Sequence, residues 1–126
     1  MTFSRLATAA LLSILALGPA TAQPAPQAVT IGVFSFGFTP HPIHLRAGQP
    51  VTLTFVNQSG SGHDFTATSF FASSTITGGA APGGKIPLAG HQTKSITLVP
   101  RAGTYAAHCS HFLHSSMGMT DQIIVN

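Results

Sequence analysis

The 126-residue chain is 44% hydrophobic and only 6% charged. Five Lys and Arg against two Asp and Glu give a formal net charge of +3, and the cations are scattered rather than clustered, which argues against nucleic-acid binding. Asp64 and Asp121 are the only acids, so there is no paired-carboxylate catalytic site, and the wealth of aliphatic and aromatic residues argues against a disordered chain.

The N-terminus reads as a targeting segment. A short stretch with one cation, Arg5, precedes an apolar run from Leu6 to Leu17 broken only by Thr8 and Ser13, and Ala20-Thr21-Ala22 supplies a small-x-small cleavage pattern. Residues 1–22 are therefore expected to be a secretory signal peptide, making the protein periplasmic or secreted. The run is about a dozen residues, short of the roughly 20 that span a bilayer, so no membrane span is expected after cleavage; a retained anchor is the alternative. Residues 23–126 are expected to form a single domain, with 23–28, carrying Pro24 and Pro26, as a flexible leader.

Beyond it, the β-branched run 29–33 continues into Phe34, Phe36 and Phe38, which alternate with Ser35 and Gly37 and predict one half-buried strand. Thr39-Pro40-His41-Pro42 interrupts it, residues 43–46 resume an extended segment, and 47–50 turn. Residues 51–57 form the clearest strand, with Val51, Leu53 and Phe55 on one face. A Gly/Ser-rich loop, 58–62, delivers His63 and Asp64 into 65–68. Residues 70–90 carry Gly78, Gly79, Gly83, Gly84, Pro82 and Pro87 and predict loops, with a short helix before them. Residues 94–99 alternate again, Ala102-Gly103 turns into 104–109, and 122–125 close the chain. The whole predicts an all-β Greek-key sandwich or barrel, antiparallel, of about seven to eight short strands.

Chemistry concentrates between Tyr105 and Met119. This stretch holds Cys109, the only cysteine, with His108, His111, His114, Met117 and Met119. Thiolate, imidazole and thioether together suit copper rather than magnesium or calcium. A lone cysteine cannot form an internal disulfide, and in an oxidising compartment it is a liability unless occupied. Cys109, His114 and Met119 follow at intervals of five residues, so a loop between two strands can present all three to one point. His63, from the glycine-rich loop, is the natural fourth ligand. His111 could replace His114 only through a very tight loop, and Met117 could replace Met119. His108 should face away from the sulfur in an extended strand. His41, His44 and His91 are each expected to be solvated or hydrogen-bonded, though they leave room for an accessory metal site.

At these residues the sequence resembles the cupredoxin, or blue-copper, family. Tyr105-x₃-Cys109-x₄-His114-x₃-Gly118-Met119 is similar to that family's C-terminal ligand loop. Phe38-Thr39-Pro40, Ala47-Gly48, the 51–57 strand, Gly62-His63 and Ala102-Gly103-Thr104-Tyr105 resemble other parts of it. The resemblance implies one type-1 copper ion, cycling between Cu(I) and Cu(II), held by His63, Cys109, His114 and Met119. It implies electron transfer between redox proteins rather than enzyme catalysis. Two departures stand out. Phe112-Leu113 replaces a frequent Pro-Gly turn, and Asp64 stands where the family often has Asn. Asp64 is expected to accept a hydrogen bond from Ser110 and to lower the potential by placing negative charge near the thiolate.

Redox protein partners are expected to dock transiently through an apolar patch at Phe112, Leu113 and His114, with little salt dependence, onto a monomer. The rival function is a copper carrier or sensor that uses the same loop and the extra histidines without shuttling electrons.

Overall fold

The computed structural model describes residues 13–21, 25–111 and 119–126. Two five-stranded sheets face each other across the core. One has the order β2-β1-β4-β8-β6, from β1 (Gln27–Phe34), β2 (Gly37–Thr39), β4 (Val51–Asn57), β6 (Thr75–Gly78) and β8 (Thr93–Val99). The other has the order β3-β10-β9-β5-β7, from β3 (Ile43–Leu45), β5 (His63–Thr66), β7 (Lys85–Leu88), β9 (Gly103–His108) and β10 (Thr120–Val125). A short helix, α1 (Thr68–Ser73), crosses between β5 and β6. The Greek-key sandwich expected from sequence is thus present. Its pairing is mixed rather than wholly antiparallel, because β1 runs parallel to β4 and β3 parallel to β10.

Period-2 burial drives the assembly. In β4, Val51, Leu53 and Phe55 are buried while the alternating Thr52, Thr54 and Val56 are less so, as their spacing requires. Phe65 in β5 packs edge-on against Phe38 and Phe71 and tilted against Phe55, with ring centroids 4.9–6.3 Å apart. Phe70 of α1 carries this aromatic chain to Tyr105 of β9. The Tyr105 hydroxyl donates to the Arg101 carbonyl at 2.8 Å, closing the turn before β9.

Three expectations are corrected. Residues 29–38 are not one strand: the chain turns at Ser35-Phe36 and β2 folds back antiparallel on β1, pairing Phe34 with Gly37. Phe38 is buried, but Phe34 and Phe36 are 39% and 56% exposed. The leader is shorter than 23–28, because Gln27 already pairs with Val51 and its N–H donates to the Pro50 carbonyl at 3.0 Å. The 70–90 region is largely ordered by pairing, β6 on β8 and β7 on β5, which with the β1–β2 hairpin raises the strand count among the described residues to ten. Residues 1–12 and 22–24, which bear most of the signal-peptide expectation, lie outside the described residues.

Candidate metal centre

One end of the sandwich gathers most of the ligand-type side chains. β5 begins there with His63, β9 runs out there into Cys109, and β10 starts there after Met119. The Cys109 N–H donates to the Met119 carbonyl at 3.1 Å. This bond extends the β9–β10 ladder by one step and fastens the two feet of the intervening loop. Cys109 and Met119 are 0% exposed and His63 is 2% exposed. His114, Met117, Phe112 and Leu113 lie outside the described residues.

His63 is delivered by a loop that Asn57 holds. Asn57 falls on the inward face of β4, two residues beyond Phe55, so its amide is buried. Its Nδ2 donates to the carbonyls of Ser61 at 2.7 Å and Ala89 at 2.9 Å. Its Oδ1 accepts from the N–H and the hydroxyl of Ser59, both at 3.0 Å. Loops 58–62 and 89–92 are thereby bound together, and they approach so closely that a Cβ on Gly90 would collide with the Gly60 carbonyl. Sequence reasoning gave Asn57 no role. The available signal was an amide at an inward position of a strand, where it must find partners.

Asp64 is the electrostatic pivot. Its backbone N–H donates to Cys109 Sγ at 3.5 Å. Its carboxylate, buried, accepts from Thr66 Oγ1 at 2.6 Å and the Ser110 N–H at 2.8 Å on Oδ1, and from Ser110 Oγ at 2.6 Å on Oδ2. The bond expected between Asp64 and Ser110 is therefore present twice over. Burial pushes the carboxyl up, but the bonds from the Ser110 and Thr66 side chains and the Ser110 N–H, with Lys85 nearby, outweigh it and hold the group below its ordinary value. Burial pushes the Cys109 thiol up. The N–H groups of His111 and Asp64 pull it back only in part, and the Asp64 carboxylate opposes them.

His111 comes to the same place. Its Nε2 is 3.6 Å from Asp64 Oδ2, and its ring centroid is 6.2 Å from that of His63. One donor atom from each of Asp64, Cys109 and His111 lies within 4.8 Å of the others, so the turn after Cys109 is tighter than the sequence led us to expect. The other described histidines stand apart. His41 Nδ1 lies 2.6 Å from Asp121 Oδ1, His44 and His91 are exposed, and His108 is half-buried opposite exposed Thr120.

The donor chemistry fits copper. A thiol held protonated by burial becomes a stable thiolate only when a cation replaces the proton, and the buried imidazole and thioether are borderline and soft partners. Two exposed aromatics share this end with polar loop residues: β1 ends at the level of Asn57, with Val33 paired to it, and Phe34 and Phe36 follow, both exposed.

Residues 7–125 match the family model of the Cupredoxin-like domain. No curated protein matches the chain. Among solved structures the chain is similar to auracyanin B, with 22% identity and a TM-score of 0.57 over 85% of this chain and 93% of that one. It is similar to auracyanin A, a "blue" copper protein from the green thermophilic photosynthetic bacterium Chloroflexus aurantiacus, with 22% identity and a TM-score of 0.59 over 81% of this chain and 100% of that one. It is also similar to a multi-copper oxidase from Pediococcus acidilactici, with 13% identity and a TM-score of 0.65 over 87% of this chain but 28% of the oxidase. At these identities the likeness is one of fold.

Proposed function

The chain belongs to the cupredoxin-like family, and from that premise we propose that it is a copper-binding electron-transfer protein. Its ligands are His63, Cys109, His114 and Met119, and the ion they hold supplies a one-electron couple between Cu(I) and Cu(II). The observation that carries this reading is the bond between the Cys109 N–H and the Met119 carbonyl, beside buried His63. It pins a thiol and a thioether at the two feet of one loop, against strands that cannot easily shift. A rigid set of this kind changes little between oxidation states, which is what rapid electron transfer needs. The N–H of Asp64, aimed at Cys109 Sγ, supports the thiolate, and the Asp64 carboxylate favours the more positive oxidation state.

The electron leaves by way of His114. Redox proteins dock by brief apolar contact at Phe112, Leu113 and His114, and exposed Phe34 and Phe36 offer further apolar surface at the centre's end. The N-terminal segment directs the chain to the periplasm or the medium. No helix among the described residues is long and apolar enough to cross a membrane.

The experiment is to add Cu(II) to the apo-protein and record its visible and EPR spectra and its voltammetry. An intense thiolate-to-copper band that Cys109→Ser abolishes, with a reversible couple, is expected. A colourless Cu(I)-only complex, or Cu(II) binding that survives Cys109→Ser, would replace electron transfer with copper carriage.

A further inference from the structure

One imidazole approaches the centre from solvent. The His111 side chain is 44% exposed, while that of Asp64 beneath it is 2% exposed. Of the described donors around the centre, an ion arriving from water meets His111 first. A first-row ion sits about 2.0–2.3 Å from nitrogen, oxygen or sulfur, so two donors that share it stand no more than about 4.6 Å apart. The donor atoms of Asp64, Cys109 and His111, within 4.8 Å of one another, need little closure to do so.

Asp64 keeps a position open for this. A carboxylate offers about four lone-pair sites. Thr66 and the Ser110 N–H take those on Oδ1, and the Ser110 hydroxyl takes one on Oδ2. What is left lies on Oδ2, the oxygen that faces His111 Nε2.

We propose that Asp64, Cys109 and His111 form a capture site for copper that overlaps the buried centre through Cys109. His111 meets the ion at the surface, and Asp64, buried beneath it, joins in holding it. Cys109, common to both ligand sets, keeps hold of it while His63 and the remaining ligands replace His111 and Asp64. No electron moves in this exchange, and the thiol proton leaves to solvent as the sulfur binds. The inference rests on the electron-transfer reading for the final centre.

Stopped-flow mixing of the apo-protein with Cu(II), followed at the thiolate-to-copper band, tests it. His111→Ala is expected to slow uptake about tenfold and to leave the final spectrum and midpoint potential at wild-type values. An unchanged uptake rate overturns the proposal. So does an altered final spectrum, which would make His111 a permanent ligand. A second arm uses Co(II) and His114→Ala. That variant should still show a cobalt–thiolate band, and adding His111→Ala should remove it; a band that persists in the double variant overturns the capture site. If wild-type protein gives no intense copper band, the electron-transfer reading falls by itself, and the cobalt arm still decides whether the trio binds metal.

Discussion

Asp64 concentrates more of the centre's electrostatics than any other described side chain. Its backbone N–H points at the sulfur while its carboxylate is locked by Ser110 and Thr66, so a full negative charge is fixed beside the metal site in a place water does not reach. Such a charge stabilises Cu(II) over Cu(I). Asp64→Asn is expected to raise the midpoint potential by about 60 mV or more, a tenfold change in the one-electron equilibrium, as read by voltammetry; an unmoved potential would mean that Ser110 and Thr66 neutralise the carboxylate's field. The same group makes the apo-protein acid-sensitive. Its folded-state value is depressed, so its contribution to stability is present above the unfolded carboxyl value of about 3.9 and is lost as pH falls through the folded value. Urea unfolding of the apo-protein should therefore show stability declining below about pH 4, and Asp64→Asn should flatten that decline.

At the scale of elements, the centre depends on how loops are tied to strands. Asn57 ends β4 and grips both the 58–62 loop and the 89–92 loop. Asn57→Ala removes these bonds from a buried position and is expected to cost about 2–3 kcal/mol in urea unfolding of the apo-protein. It should also weaken copper affinity about tenfold in chelator competition, because His63 loses its fixed approach; full affinity with reduced stability would make Asn57 a scaffold residue only. Such contacts divide what is legible in a sequence from what is not. The faces of β4 and the Cys109 strand could be read from alternation and turn residues, and the Asp64–Ser110 bond from the family resemblance at those two positions. The partners of Asn57 could not, because they include backbone groups, one of them a carbonyl 32 residues away. The β1–β2 hairpin was misread for a related reason. Phe34, Phe36 and Phe38 keep a strand's alternation straight through a turn, and only the pairing of Phe34 with Gly37 shows that the chain has reversed. The position of His111 depends on a tight turn that spacing alone disfavoured.

Across the whole molecule, the described arginines lie at the end away from the candidate centre. Arg46 follows β3 at the end away from the metal centre, where the Gly48 N–H donates to the Pro100 carbonyl next to Arg101 and the Ala47 N–H to the Asn126 carbonyl. Lys85 and Lys94 lie half-buried in β7 and β8, and both acids are buried. The centre's end instead shows Phe34 and Phe36 to solvent. Two molecules meeting at that end would bring these phenylalanines together with their distal arginines far apart, beyond the roughly 8–10 Å over which salt leaves charges able to interact. Electron self-exchange, measured by NMR line broadening in mixtures of oxidised and reduced protein, should then change less than about twofold between low and physiological salt. Phe36→Ala should slow it about fivefold, the effect of losing roughly 1 kcal/mol of contact. It should shift the unfolding free energy by no more than about 0.5 kcal/mol, because Phe36 is already more than half exposed. A strong salt dependence, or a Phe36→Ala rate equal to wild type, would move the electron's exit away from this end.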